Sequence, residues 1–188
     1  MRLTGGEARG RRLKGPRGQW LRPTSDRVRE ALFDILAARV EGSLFLDAFA
    51  GTGAVGIEAL SRGAARAVFA ESDRRALRLI ADNIALGPWH GRSEVLAGDV
   101  ALTIRLLANR PARFGVVFVD PPYETELTQP LLAGCVALLA SAGALAVEHR
   151  SGRHIDLPPD PVLTPLRTYR YGDTSLSLAW RRRDEALP

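Results

Sequence analysis

Little in this chain points to redox or metal chemistry. Cys135 is its only cysteine, so no disulfide can close within the chain, which fits a reducing compartment. His90, His149 and His154 are its only histidines and lack metal-ligand spacing, so no metal is expected. No apolar run approaches the roughly 20 residues that span a bilayer. No apolar segment marks the start of the chain, so no signal peptide is expected. These absences lead to the expectation of a cytoplasmic protein with no membrane partner.

What is present fits one globular domain. The chain has 188 residues, 46% of them apolar, enough for a sizeable core. The formal charge of +5 is unevenly spread. Met1–Glu30 holds nine Lys/Arg against three acids, a net +6, which leaves the other 158 residues near −1. A basic arm on a near-neutral body suits a polyanion, nucleic acid first, although a solvated tail has the same composition. The organisation expected is a basic arm or hairpin over residues 1–21 and a single domain over 22–183, with monomer as the default state.

The element order is repetitive. Pro23, Thr24, Ser25 and Asp26 signal a helix start, and Val28, Ala31, Leu32, Ile35 and Leu36 form one apolar stripe. Strands are predicted at 44–47, 67–71, 94–97, 116–119 and 144–148. Helices alternate with them at about 54–62, 74–86, 101–109 and 127–139. The tail, 163–171 and 174–181, has no helix between its halves, and Gly172-Asp173 suits a hairpin turn. Repeated βα units predict an α/β fold, a mostly parallel sheet covered by helices on both faces.

The richest stretch is Phe118-Val119-Asp120-Pro121-Pro122-Tyr123. An apolar strand runs into a carboxylate, two prolines and an aromatic ring. Proline fixes φ and restricts its predecessor, so the turn is stiff. It holds Asp120, the carbonyl of Pro121 and the ring of Tyr123 at a strand's carboxyl end, where open α/β sheets bind ligands. Two N–H acceptors beside a flat ring suit a planar group with an exocyclic amine, such as a nucleobase.

A second site precedes it. Asp47-Ala48-Phe49-Ala50-Gly51-Thr52-Gly53-Ala54-Val55-Gly56 follows the first strand, and its glycines spell G-x-G-x-x-G. That pattern alone is weak, and packing of helix on strand would also explain it. In a dinucleotide site the glycines come directly off the strand and leave a helix N-terminus for pyrophosphate. Here Asp47 ends the strand, four residues ahead of Gly51. A carboxylate there repels pyrophosphate and pairs with an amine. Glu71 ends the next strand, where an acid accepts ribose hydroxyls or simply starts the following helix. Ser72 adjoins it. Asp99 ends the third strand, as an acceptor for an adenine amine or as an N-cap. An amine and an adenosine without pyrophosphate describe S-adenosylmethionine (SAM). The expected cofactor contacts are Asp47, Phe49, Gly51, Gly53, Glu71, Ser72 and Asp99.

These pieces together resemble class I SAM-dependent methyltransferases, and Asp120-Pro121-Pro122-Tyr123 resembles the signature of those that modify exocyclic nitrogens of bases. Three further stretches narrow the likeness: Arg22 to Phe33 (RPTSDRVREALF), Asp47 through Ala64, and Tyr171-Gly172-Asp173-Thr174. Together they resemble the bacterial 16S rRNA guanine-N2 methyltransferase family (RsmD), from Arg2 to about Trp180. Asp34 stands where that family usually has Asn. The resemblance implies a Rossmann-like fold with a seven-stranded sheet whose last strand is antiparallel. It also implies 16S rRNA or the small ribosomal subunit as partner, and methyl transfer to the N2 of a guanine with Asp120, Pro121 and Tyr123 at the reacting amine.

Arg9, Arg11, Arg12 and Lys14 are candidates for phosphate contacts, and Arg22 and Arg27 for contact near the target. Arg27 and Arg29 also fit a plain solvated helix face. Cys135, mid-helix between Leu132 and Leu138, suits core packing better than nucleophilic chemistry. The same chemistry on DNA adenine N6 or another rRNA position, and an inert RNA-binding module, remain as alternatives.

Overall fold

The computed structural model describes residues 1–16, 18, 20–21, 24–122 and 125–183. Among these residues one sheet organises the chain, with strands β1 (Leu44–Ala48), β2 (Arg66–Glu71), β3 (Ser93–Ala97), β4 (Phe114–Val119), β5 (Leu139–Arg150), β6 (Arg167–Tyr171) and β7 (Thr174–Trp180). Their order is β3-β2-β1-β4-β5-β7-β6. β3 through β5 pair in parallel, and β7 runs antiparallel to both β5 and β6. The chain reverses its direction of winding between β1 and β4, which opens a crevice at their carboxyl ends.

Alternation along the strands divides the core. Phe45, Phe69, Val116 and Phe118 point to one face, and Leu46, Val68, Val117 and Val119 to the other. The first face is covered by helices α1 (Asp26–Val40), α2 (Ala54–Ser61) and α3 (Arg74–Ile84). The second is covered by α4 (Val100–Ala108) and α5 (Gln129–Ala137). Cys135 is buried there, and burial pushes its thiol up to about 12, so it is a packing residue. No helix among the described residues is long and apolar enough to cross a membrane.

The predicted seven-stranded sheet is present, with several element boundaries shifted from expectation, the largest shift at the start of β5. The helix predicted to reach residue 139 ends at Ala137, and β5 begins at Leu139 rather than near 144. Leu139 pairs with Phe114 across a register shift, so tertiary pairing takes residues that sequence alone assigns to the helix end.

The buried face of α1 is also rotated from the expected stripe. Ser25 caps the helix by accepting from Val28 N–H at 3.2 Å. Arg29, Leu32, Phe33, Leu36 and Val40 then face inward beside Val28, while Ala31 and Ile35 are only half-buried. Arg29 is therefore not on a solvated face. It is fully buried, and its Nε donates to the buried Glu58 carboxylate of α2 at 2.5 Å. An unpartnered charge there would cost several kcal/mol.

The same Glu58 anchors the amino-terminal hairpin. Leu3 N–H bonds to the Arg11 carbonyl, and Leu13 N–H to the Met1 carbonyl, which closes the hairpin. The Thr4 hydroxyl and N–H donate to Glu58, and Arg29 donates to the Arg2 carbonyl. Leu3, Ala8 and Leu13 join the core of α1–α3. The hairpin is thus fixed on α2 and α3 by buried apolar and charged contacts.

Candidate active site

β1 delivers Asp47 to the crevice, where it is 1% exposed. Its Oδ2 accepts from Gly56 N–H in the first turn of α2 at 2.8 Å. Burial pushes this carboxyl well above the usual carboxylate range. The Gly56 bond pulls it down, and the charges of Asp120 and then Glu71 push it up again. A cationic ligand at this place would reverse the balance and favour the ionised form.

The loop between β1 and α2 is shaped by three left-handed residues, Phe49 (φ 62°), Gly51 (φ 55°) and Gly53 (φ 74°). For Phe49 that conformation is strained. Gly56 serves a different need: a Cβ there would lie 2.4 Å from the Phe69 ring, so it sets the close approach of α2 to β2. Gly51 and Gly53 shape the turn, and Gly56 packs.

Glu71, at the end of β2, binds this loop directly. One of its oxygens accepts from Gly51 N–H and the other from Ser72 and Asp73 N–H, each at 2.8 Å. Three of about four lone-pair positions are thereby used, which leaves one for a ligand hydroxyl. Asp99 caps α4 by accepting from Leu102 N–H at 2.9 Å, so its N-cap role is in place, and it also lines the crevice.

β4 delivers the second cluster. Asp120 N–H bonds to the Ala48 carbonyl at 3.3 Å, tying the ends of β4 and β1 together. The Thr24 hydroxyl donates to Asp120 Oδ2 at 3.0 Å. Pro121 is buried and Pro122 exposed. Tyr123 and Arg22 lie outside the described residues.

These elements enclose one cleft of about 810 Å³, within the range of small-molecule sites. Asp47, Phe49, Gly51, Glu71, Ser72, Asp99, Asp120 and Pro121 all line it, whereas Gly53 caps α2 and does not. Sequence reasoning gave no site role to Thr24, to the buried Glu148 of β5, or to Trp20 and Tyr171, which line it too. Glu148 carried the same signal as Asp47, an acid closing an apolar strand. Trp20 is held against α3 by the Arg75 guanidinium, 4.1 Å over its ring. Seven Asp and Glu side chains line the cleft, and its described residues include no Lys, Arg or His. Such a lining suits a ligand with positive charge and disfavours phosphates.

The predicted phosphate contacts lie elsewhere. Lys14 pairs with Asp82 at 3.0 Å, and Arg11 donates to the Leu86 carbonyl while stacking 5.4 Å from the Trp89 ring centre. Both are engaged with α3 and the turn after it. Arg9, Arg12 and Arg27 are exposed.

Comparison with known proteins adds three findings. The family model described as Conserved hypothetical protein 95 matches residues 1–180. Ribosomal RNA small subunit methyltransferase D of Escherichia coli strain K12 is 40% identical over 148 residues, covering 79% of this chain and 71% of that protein. YlbH of Bacillus subtilis strain 168 is 33% identical over 174 residues, 90% of this chain and 94% of YlbH. Among solved structures, Escherichia coli yhhF superposes with a TM-score of 0.80 at 34% identity, over 98% of this chain and 99% of that one.

Proposed function

We propose that this chain, which belongs to the Conserved hypothetical protein 95 family and is an rRNA methyltransferase, acts on the exocyclic N2 of one guanine in small-subunit rRNA with SAM as donor. The observation that carries the reading is the shared cleft. Asp120, fixed by Thr24 and by the β1 carbonyl, opens onto the same carboxylate-lined space as Asp47 and Glu71. The relative named for the small subunit supports the substrate class.

The acid-lined end fits the cofactor, whose ammonium and sulfonium are both cationic. Asp47 and the Phe49–Gly51 loop would hold its amino-acid part, Glu71 and Ser72 its ribose, and Asp99 its adenine. When bound, SAM supplies an electrophilic methyl group. Everything else falls to the protein. Asp120 and the Pro121 carbonyl accept the two N–H groups of the guanine amine. They thereby favour a more tetrahedral nitrogen with its lone pair turned toward the cofactor end. Asp120 would also take up the proton that leaves the amine. Tyr123 enters by sequence alone, as the ring that stacks on the base. Such stacking is worth roughly 1–3 kcal/mol per base, against a few kcal/mol to flip a paired base out. Placement and fixed dipoles supply most of the acceleration.

The decisive measurement is transfer of labelled methyl from SAM to small-subunit rRNA, free and assembled, followed by nucleoside analysis. N2-methylguanine is the expected product. N6-methyladenine in its place would overturn the choice of base.

A further inference from the structure

The cleft poses a problem of charge. An RNA strand must bring phosphates to an opening whose described lining is acidic. In the hairpin, Arg11 and Lys14 are engaged with α3 and its following turn, which leaves the exposed Arg9 and Arg12.

A second basic surface stands on the other side of the cleft. Residues 150–183 hold seven Arg against three Asp, a net +4, which the acids of the middle of the chain conceal in any whole-body count. β6, within this segment, is the open edge of the sheet and reads Arg167-Thr168-Tyr169-Arg170-Tyr171. Its register with β7 sorts these side chains. Arg167, Tyr169 and Tyr171 stand opposite Leu178, Leu176 and Thr174. Leu176 and Leu178 belong to the core cluster under α1, and Tyr169 and Tyr171 pack half-buried on it. The row Arg167–Tyr169–Tyr171 therefore lies on the α1 face, and it spans about 13 Å at the usual strand rise. Its inner end, Tyr171 with Thr174, lines the cleft. At its outer end Arg167 and Arg39 of α1 each lie 5.8 Å from the centre of the Trp180 ring. Among the described residues, Arg39, Arg167 and Arg170 form no ion pair with a carboxylate.

We propose that this edge row, Arg167–Tyr169–Tyr171 with Arg39 beside it, is a track for single-stranded RNA that leads the strand flanking the target base into the cleft. The inference rests on the rRNA reading above. Cations alternating with rings are the chemistry of single-strand binding, in which arginines follow phosphates and rings stack bases without regard to sequence. Charges on an edge strand also block pairing with other chains, but that role requires no rings and no path to the cleft.

The test measures binding of the full chain to a fluorescein-labelled 12-nucleotide single-stranded RNA by anisotropy, from 50 to 300 mM salt. Each lost phosphate contact lowers the log–log salt slope by about 0.7, so Arg39→Gln with Arg167→Gln should flatten it by about 1.4 and weaken binding at low salt. Tyr169→Leu should weaken binding roughly 5- to 100-fold, and Tyr169→Phe, which keeps the ring, should bind as wild type does. Calorimetry with SAM shows that each variant is folded; if Tyr169→Leu loses SAM binding as well, the arginine pair decides. Unchanged affinity and slope in the arginine pair would overturn the track, whether or not the edge then aggregates. If wild-type protein methylates rRNA while the variants bind RNA normally, the track alone is wrong. If wild-type protein neither binds the probe nor methylates rRNA, the track falls together with the rRNA reading.

Discussion

The two ends of the cleft hold their carboxylates by different means. At the β1–β2 end, Asp47, Glu71 and Asp99 are gripped by backbone N–H groups: Gly56 for the first, Gly51, Ser72 and Asp73 for the second, and Leu102 for the third. Those donors are within about 20 residues of their acceptors; all but Gly51 belong to the same βα unit as the acceptor, and Gly51 comes from the adjacent one. At the β4–β5 end, Asp120 is steadied by a side chain 96 residues away, the Thr24 hydroxyl, and Glu148 joins from β5. The first end is a property of local loop geometry. The second exists only once the sheet has closed and α1 has docked. On the proposed function, the first end is a preformed cofactor pocket, and the second is a target pocket that can be altered without disturbing it.

The largest expected effect separates the two ends most cleanly. On the proposed function, Asp120→Ala removes an acceptor from the reacting amine and should lower methyl transfer about a thousandfold, the usual scale for such a group. SAM affinity by calorimetry should stay within a few-fold of wild type, because the β1–β2 end keeps its backbone donors. Comparable loss of both would mean that the ends form a single unit, and near-normal transfer would remove Asp120 from the chemistry.

A smaller effect is expected from Asp47→Asn. A charge-assisted contact with the ligand ammonium is worth about 1.5–3 kcal/mol, so SAM affinity should fall roughly 10- to 100-fold. The pH dependence carries a definite sign. Burial raises the Asp47 carboxyl in the folded protein, so the native state binds its proton more tightly than the unfolded chain does. The stability this contributes is complete below the unfolded value near 3.9. It is lost as pH rises through the folded value. Asn keeps an oxygen for Gly56 N–H and carries no charge. The ligand-free variant should therefore melt above wild type at neutral pH, by a margin that widens as pH rises from 4. Wild-type SAM affinity should rise over the same interval as Asp47 ionises, while the variant stays flat. A variant that melts lower at neutral pH would show that Asp47 stabilises the apo fold.

This contrast also explains what the sequence revealed. Strand ends at Asp47, Glu71 and Asp120 could be read because each closes a short apolar run whose period is local. The antiparallel tail followed from Gly172-Asp173 and from the family likeness. Burial of Arg29 did not follow, although a stripe at 29, 32, 33, 36 and 40 also has helical period. A lone arginine in that stripe has no local mark of its partner, and Glu58 is 29 residues further on. Docking of the hairpin escaped for the same reason. Asn83 of α3 bonds both to Lys14 and to the Thr52 carbonyl of the cofactor loop, and nothing around residue 83 announces either contact. The charge of the β6 edge was masked by averaging over the body. Periodicity encodes which face is buried to within one residue's rotation; it does not encode which partner waits there.

The finest test of the comparison is Thr24, whose hydroxyl donates a hydrogen bond to Asp120. Thr24→Val keeps the shape and removes the donor. Asp120 would then lose one fixed hydrogen bond to a charged oxygen, a change of about 1.5 kcal/mol or more that appears as about a tenfold loss in kcat. Because the contact orients the carboxylate and does not touch the cofactor loop, SAM affinity and melting temperature should barely move. Thr24→Ser retains the hydroxyl and should restore most of the rate. A Val variant whose rate matches wild type would mean that β4 and its two prolines fix Asp120 without help from α1. In that case the target end, like the cofactor end, would be set by its own loop.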